Sequence, residues 1–139
     1  MKRDLGDGFE LDDDRERVDV EALHQFLSAE SYWARGRDLE TVRMIVGEAV
    51  RVVGLYHDGR MIGFCRAARC APKLLYLGDV YVLEEYRGRG LGVELVREMV
   101  DRGQHADAKW LLHTEDAHEL YRRFGFEDPG YKVMERPAR

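Results

Sequence analysis

The sequence predicts a mixed α/β (α+β) domain in which helices cover both faces of a central sheet. Three observations predict it. Two segments with apolar residues at helical spacing come first, a meander of strand-like runs follows, and the chain then alternates strand, helix, strand, helix and strand. At 139 residues the chain suits one core and a single domain spanning 1–139.

Phe9 to Asp13 forms a short first strand in this reading. Asp19 N-caps a helix running to about Glu30, because Val20, Leu23, Phe26 and Leu27 recur on one face. Asp38 caps a second helix with Val42, Ile45, Val46 and Ala49 inward, and the loop between the two carries Ser31-Tyr32-Trp33. Val50 to His57 and Arg60 to Cys70 are strand runs joined by Asp58-Gly59, the pair that suits a type I′ hairpin turn. Pro72 interrupts, and Leu74 to Val82 resumes as a long apolar strand of the sheet centre. A glycine-rich turn then opens a helix from about Leu91 to Arg102, with Leu91, Leu95, Val96, Met99 and Val100 inward. Trp110 to His113 is a short strand. Asp116-Ala117-His118-Glu119 has the pattern of a capping box for a helix to Phe124, Gly125 is its left-handed stop, and Lys132 to Glu135 closes the sheet.

Composition narrows the function. Apolar residues make up 45% and charged residues 35%, the balance of a globular protein. No apolar run approaches the roughly 20 residues that span a bilayer, and the N-terminal residues turn acidic where a signal peptide needs an apolar stretch, so a cytoplasmic protein is expected. A net charge of −5 argues against general nucleic-acid binding. Cys65 and Cys70 stand an odd number of positions apart in one strand, face opposite ways and do not pair. With no Cys-x-x-Cys or His-x-x-x-His pattern, no metal site is expected.

The most informative segment is Val80-Tyr81-Val82-Leu83-Glu84-Glu85-Tyr86-Arg87-Gly88-Arg89-Gly90-Leu91-Gly92. A buried strand passes through a tight glycine turn into a helix. Glycines let successive N–H groups converge on one point, the helix start adds partial positive charge, and Arg87 and Arg89 add full charges. Such a turn suits phosphate; read alone, it is equally a flexible turn with solvated arginines. The turn lies too late in the chain for a dinucleotide fingerprint, and no Gly-Lys-Ser/Thr triplet makes it a Walker loop.

Together, Leu77-Gly78-Asp79-Val80-Tyr81-Val82, the Arg87 to Gly92 turn, and the run from Asp116 to Phe126 resemble the GNAT superfamily of acyl-CoA N-acyltransferases, in its small single-domain bacterial form. The resemblance implies a mixed, mostly antiparallel sheet with helices on both faces, in the order β-α-α-β-β-β-α-β-α-β-β. It implies acetyl-CoA as acyl donor and no metal. It assigns Arg87, Gly88, Arg89, Gly90, Leu91 and Gly92 to the CoA pyrophosphate, and pairs the main chain of Tyr81 and Val82 with the pantetheine arm. The expected reaction is acetyl transfer to a primary amine of a small molecule or peptide by direct attack in a ternary complex. The rival is a non-catalytic acyl-CoA-binding regulatory module. The expected partners exclude nucleic acid and membrane and leave a homodimer open. The acceptor itself is not written in the sequence.

The chemistry asks for a neutral amine, a donor for the developing oxyanion and a proton for the departing thiolate. The resemblance sets Tyr121 beside the CoA sulfur as general acid; by spacing alone it is a boundary tyrosine beside a buried Leu120–Phe124 pair. Asp79 interrupts an apolar strand, so it is either a functional carboxylate or the ion-pair partner of Arg66 or Arg69. Lys73 to Asp79 also looks like the matching strand of polyamine acetyltransferases, which carry a glutamate where this chain has Gly78. His113 is a further candidate for proton relay, or a structural histidine, and a water relay is a third route. Tyr32 and Trp33 either wall the acceptor site, through cation–π attraction, or plug helix against sheet.

Overall fold

A computed structural model describes residues 1–138. Its centre is a six-stranded sheet in the order β1-β2-β3-β4-β5-β6, formed by Lys2–Gly6, Phe9–Asp12, Arg51–His57, Arg60–Ala71, Leu74–Val82 and Lys109–Leu111. Neighbours are antiparallel throughout except β5 and β6, which run parallel. Helices α1 (Val20–Ala29) and α2 (Leu39–Glu48) lie on one face, and α3 (Leu91–Val100) and the short α4 (His118–Arg122) belong to the other. The expected fold class is the one observed.

Local chemistry explains most element ends. Asp19 and Asp38 cap α1 and α2 by accepting the N–H groups of Ala22 and Thr41 at 3.0 and 2.8 Å. Asp58 and Gly59 both take positive φ, 47° and 85°, the turn that the strand twist favours. Each face of the sheet then buries its own cluster. Leu23, Phe26, Leu27, Val42 and Val46 pack on Val52, Tyr56 and Phe64 beneath α1 and α2, while Leu95, Val96 and Met99 of α3 pack on Val53, Leu55 and Ile62. Cys65 is buried in the middle of β4 and Cys70 exposed near its end, and the two do not pair.

A buried charge ties the second face together. Glu98, inside α3 and 0% exposed, meets Arg3 of β1 at 2.5 Å and Arg51 of β3 at 3.3 Å. Arg51 also donates to the main-chain carbonyl of Glu98 and to Asp13. A carboxylate so placed costs too much desolvation unless paired, and here two guanidinium groups compensate it.

Four expectations need correction. A strand precedes Phe9: Asp7 and Gly8, at φ 52° and 83°, turn β1 back on β2. No strand follows α4 among the described residues; Gly130, at φ 66°, turns the chain into a 3₁₀ segment and the outer edge of β6 stays unpaired. Asp116 does not cap α4, which begins at His118; Thr114 instead accepts the Ala117 N–H at 3.0 Å. On that helix Tyr121 is the buried residue, whereas Leu120 and Phe124 are only half-buried.

Candidate functional site

The site exists because β5 loses one partner midway. It pairs with β4 along its length but with β6 only over Leu74, Leu75 and Tyr76. Beyond Tyr76 its second edge faces a cleft of about 820 Å³, bounded by the α1–α2 loop, the glycine turn and the segment around α4. The strand also bulges there. Arg66 opposes Gly78 and Phe64 opposes Tyr81, so Cys65 alone faces Asp79 and Val80. Asp79 takes the extra residue's strain with φ 54°, a conformation that aspartate tolerates better than branched residues do.

At one end of the cleft lies the glycine turn. Gly88 and Gly90 have φ 82° and 78°, and a Cβ at either would meet nothing within 4 Å. The N–H groups of Leu91, Gly92 and Val93 form the first turn of α3 and have no intrahelical acceptor; Gly90, its N-cap, supplies no side chain to satisfy them. Open space above unpaired donors is a cradle for an anionic group. Of the two arginines, Arg87 lines the cleft and donates through Nε to the Val82 carbonyl at 2.9 Å. Arg89 turns the other way, 5.9 Å above the rings of Phe9 and Tyr86. Tyr81 is 5% exposed, its ring stacked on Phe26 at 3.8 Å.

Asp79 lines the same cleft from the bulge in β5. Its Oδ1 accepts the indole N–H of Trp33 at 2.8 Å, and its Oδ2 accepts Arg66 Nε at 2.7 Å and Arg37 Nη1 at 3.0 Å. The ion pair expected with Arg66 is present; Arg69 instead bonds the Pro72 carbonyl. Tyr32 stands beside Trp33, ring centres 5.1 Å apart, and its hydroxyl accepts the Glu115 N–H at 2.9 Å across the mouth of the cleft. Tyr32 and Trp33 therefore line the cleft and brace it as well.

Tyr121 and His113 complete the lining. Tyr121 is 8% exposed, and burial pushes its phenol well above the ordinary tyrosine value, so the hydroxyl stays protonated. His113 is exposed at the rim; its Nδ1 is hydrogen-bonded to the Tyr76 hydroxyl at 2.7 Å and its Nε2 to Glu135 at 2.6 Å. Burial also raises the Tyr76 phenol. Arg37, Tyr76 and Glu135 escaped the sequence reading. Only Tyr76 left a signal, an aromatic on the strand whose later residues were already suspected.

A sequence model described as the acetyltransferase (GNAT) family matches residues 12–126. The fold is similar to that of a protein from Xanthomonas campestris pv. campestris described as belonging to the GNAT family, with 31% identity over 94% of this chain and 93% of that one and a TM-score of 0.83. A Deinococcus radiodurans protein described as an acetyltransferase gives 25% identity, coverage of 96% and 92%, and a TM-score of 0.72. A GNAT family acetyltransferase from Brucella melitensis, solved in complex with acetyl-CoA, shares the fold at 20% identity, with coverage of 88% and 85% and a TM-score of 0.71. A search of curated protein sequences finds no significant match.

Proposed function

This chain belongs to the GNAT acetyltransferase family, and from that premise we propose that it transfers the acetyl group of acetyl-CoA to a primary amine, with Tyr121 as general acid. One observation carries the reading. The unpaired N–H groups at the glycine turn, the free main-chain edge of β5 and the protonated Tyr121 all face one cleft.

The residues fit acetyl-CoA, which when bound supplies the activated thioester. Gly88 to Gly92 suit its pyrophosphate, because the space a Cβ would fill is open and the donors lie beneath it. Arg87 adds charge from within the cleft; Arg89 sits further from it. The main chain of Tyr81 and Val82 suits the pantetheine arm as an added strand, and N–H groups on that bulged edge suit a developing oxyanion.

Tyr121 donates its phenolic proton to the departing sulfur, a task for which a group held protonated by burial is fitted. Tyr32 and Trp33 attract the acceptor amine. The amine's proton passes to the Tyr76 hydroxyl as that hydroxyl gives its own proton to Nδ1 of His113, and the imidazolium so formed is paired through Nε2 with the Glu135 carboxylate. Asp79 serves by holding Trp33, Arg37 and Arg66 in place, since both its oxygens are already engaged.

A screen of amine classes with acetyl-CoA, read by release of free thiol, tests the proposal. Thiol release that depends on the amine is expected. Acetyl-CoA binding without turnover on any amine would favour the regulatory module instead.

A further inference from the structure

We propose that the acceptor end of this cleft recognises an amine that carries its own carboxylate, bound by the guanidinium groups of Arg37 and Arg66. The inference rests on the acetyltransferase reading of the cleft and adds the class of acceptor to it.

Arg37 and Arg66 both donate to one oxygen of Asp79, at 3.0 and 2.7 Å. The other oxygen is taken by Trp33. Two cations share one anion, so the cluster holds one net positive charge. It is not a solvated surface charge: the side chains of Arg37 and Arg66 are 21% and 16% exposed, and that of Asp79 is 2% exposed. Partial burial makes an unmatched cation costly and makes an incoming anion valuable.

Donor geometry points the same way. Each guanidinium offers several N–H donors in a plane. Among the described residues Arg66 uses only its Nε, and Arg37 only one terminal nitrogen. Arg66 therefore keeps its terminal pair of nitrogens, the edge whose spacing matches a carboxylate.

That guanidinium is also held in position. It lies over Gly78, where an added Cβ would stand 3.2 Å from both its Cζ and its Nη2. Glycine at 78 is the residue that leaves room for an arginine to reach into the cleft from the neighbouring strand. Arg37, Arg66, Gly78 and Asp79 all line the same cavity.

Two other carboxylates line the cleft, Glu30 and Asp116. Both are exposed, and neither is hydrogen-bonded to Arg37 or Arg66. Solvent screens them, whereas the half-buried pair is screened far less. A single residual charge also decides between anions. It matches one carboxylate, while a phosphate monoester would bring nearly twice that charge.

The test uses the purified full chain with acetyl-CoA and a panel of amino acids, their amides and diamines of matching length. The acids should exceed their amides in kcat/KM by 10-fold or more. Arg37→Gln, which keeps the Arg66–Asp79 pair, should bring that ratio near one, and Arg37→Lys should restore it only in part. Equal rates on acids and amides in the wild type, or a preference for diamines, would overturn the proposal. Calorimetry with N-acetyl amino acids and their amides, in the presence of CoA, reads the subsite without catalysis. Tighter binding of the acids, lost in Arg37→Gln, supports the subsite even where no turnover is found; equal binding refutes it. Absence of turnover on every amine counts against the acetyltransferase reading alone.

Discussion

The indole nitrogen of Trp33 donates to Oδ1 of Asp79 at 2.8 Å, joining the α1–α2 loop to the bulge in the central strand. One hydrogen bond thus links the wall of the cleft to the backbone bulge in β5. Asp79→Asn isolates the charge, because asparagine also accepts the positive φ of this position. The change leaves two partly buried guanidinium groups facing a neutral amide. Breaking such a pair costs about 3–5 kcal/mol when fully buried, and about 2–3 kcal/mol is expected for these partly exposed arginines. The melting temperature should fall by about 5–10 °C. KM for the amine should rise while acetyl-CoA affinity holds; an unchanged melting temperature with abolished turnover would instead make Asp79 a proton acceptor.

For Tyr121 the expectation is kinetic. Tyr121→Phe keeps the ring and its packing, so folding and acetyl-CoA binding should hardly change. The turnover number should fall by about 10²–10⁴, toward the lower end because a thiol is a fair leaving group. Since burial holds this phenol protonated, its ionisation should impose no alkaline limb on the rate below about pH 10. Equal kcat values, with chemistry shown to limit turnover, would remove Tyr121 from the mechanism.

The glycine turn can be probed by crowding. At φ 78°, Gly90→Ala adds backbone strain of about 1 kcal/mol along with a methyl group in open space. Gly90→Asn, better tolerated at this φ, separates strain from crowding. Calorimetry should show acetyl-CoA affinity lowered 10-fold or more in both variants. Normal affinity in Gly90→Asn would mean that the pyrophosphate does not approach the turn.

Tyr56 offers a stability test away from the cleft. Its ring lies under Arg17 at 3.8 Å, but its buried hydroxyl has no hydrogen-bond partner among the described residues. Tyr56→Phe keeps the ring and removes the orphan, so stability should rise by about 1 kcal/mol.

The same phenol bears on alkaline stability. Burial pushes it up to about 12, and raises Tyr76, Tyr81, Tyr121 and the Cys65 thiol as well. Groups raised on folding contribute stability that is complete below their unfolded values, 9.0 for cysteine and 10.0 for tyrosine, and is lost as pH climbs toward the folded ones. Thermal melts should stay level to about pH 9 and then decline, less steeply in Tyr56→Phe. A flat profile to pH 11 would contradict this.

How much of this was legible depends on how local each signal is. The glycine turn stands out in the sequence because its residues are consecutive. Asp58-Gly59 is legible as a hairpin because apolar strands flank it. The same pair at Asp7-Gly8 is not, since Lys2–Gly6 has no buried residue to mark it as a strand. Asp79 was noticed as a charge in an apolar run, but Arg37 is 42 residues away and joins it only through tertiary packing. The bulge that aims Asp79 leaves no trace either, because nothing in Leu-Gly-Asp-Val announces a positive φ. The depth of Tyr121 is not legible from spacing, because the helix holding it is one turn long and its packing, not its periodicity, sets which side is inward.

Gly78 and Arg66 carry a consequence for how this cleft diversifies. The space beside one strand position is filled by a residue from the next strand, so neither position can change freely while the other stays. A side chain introduced at 78 presses on the guanidinium, which must shift to admit it, and shortening Arg66 alone strips Asp79 of a partner. Effects at the two positions should be non-additive, because a shortened residue at 66 leaves a side chain at 78 nothing to displace, although Asp79 still lacks that partner. The order of change therefore matters: a shorter residue at 66 first opens the space beside 78, whereas a side chain at 78 first must push the guanidinium aside.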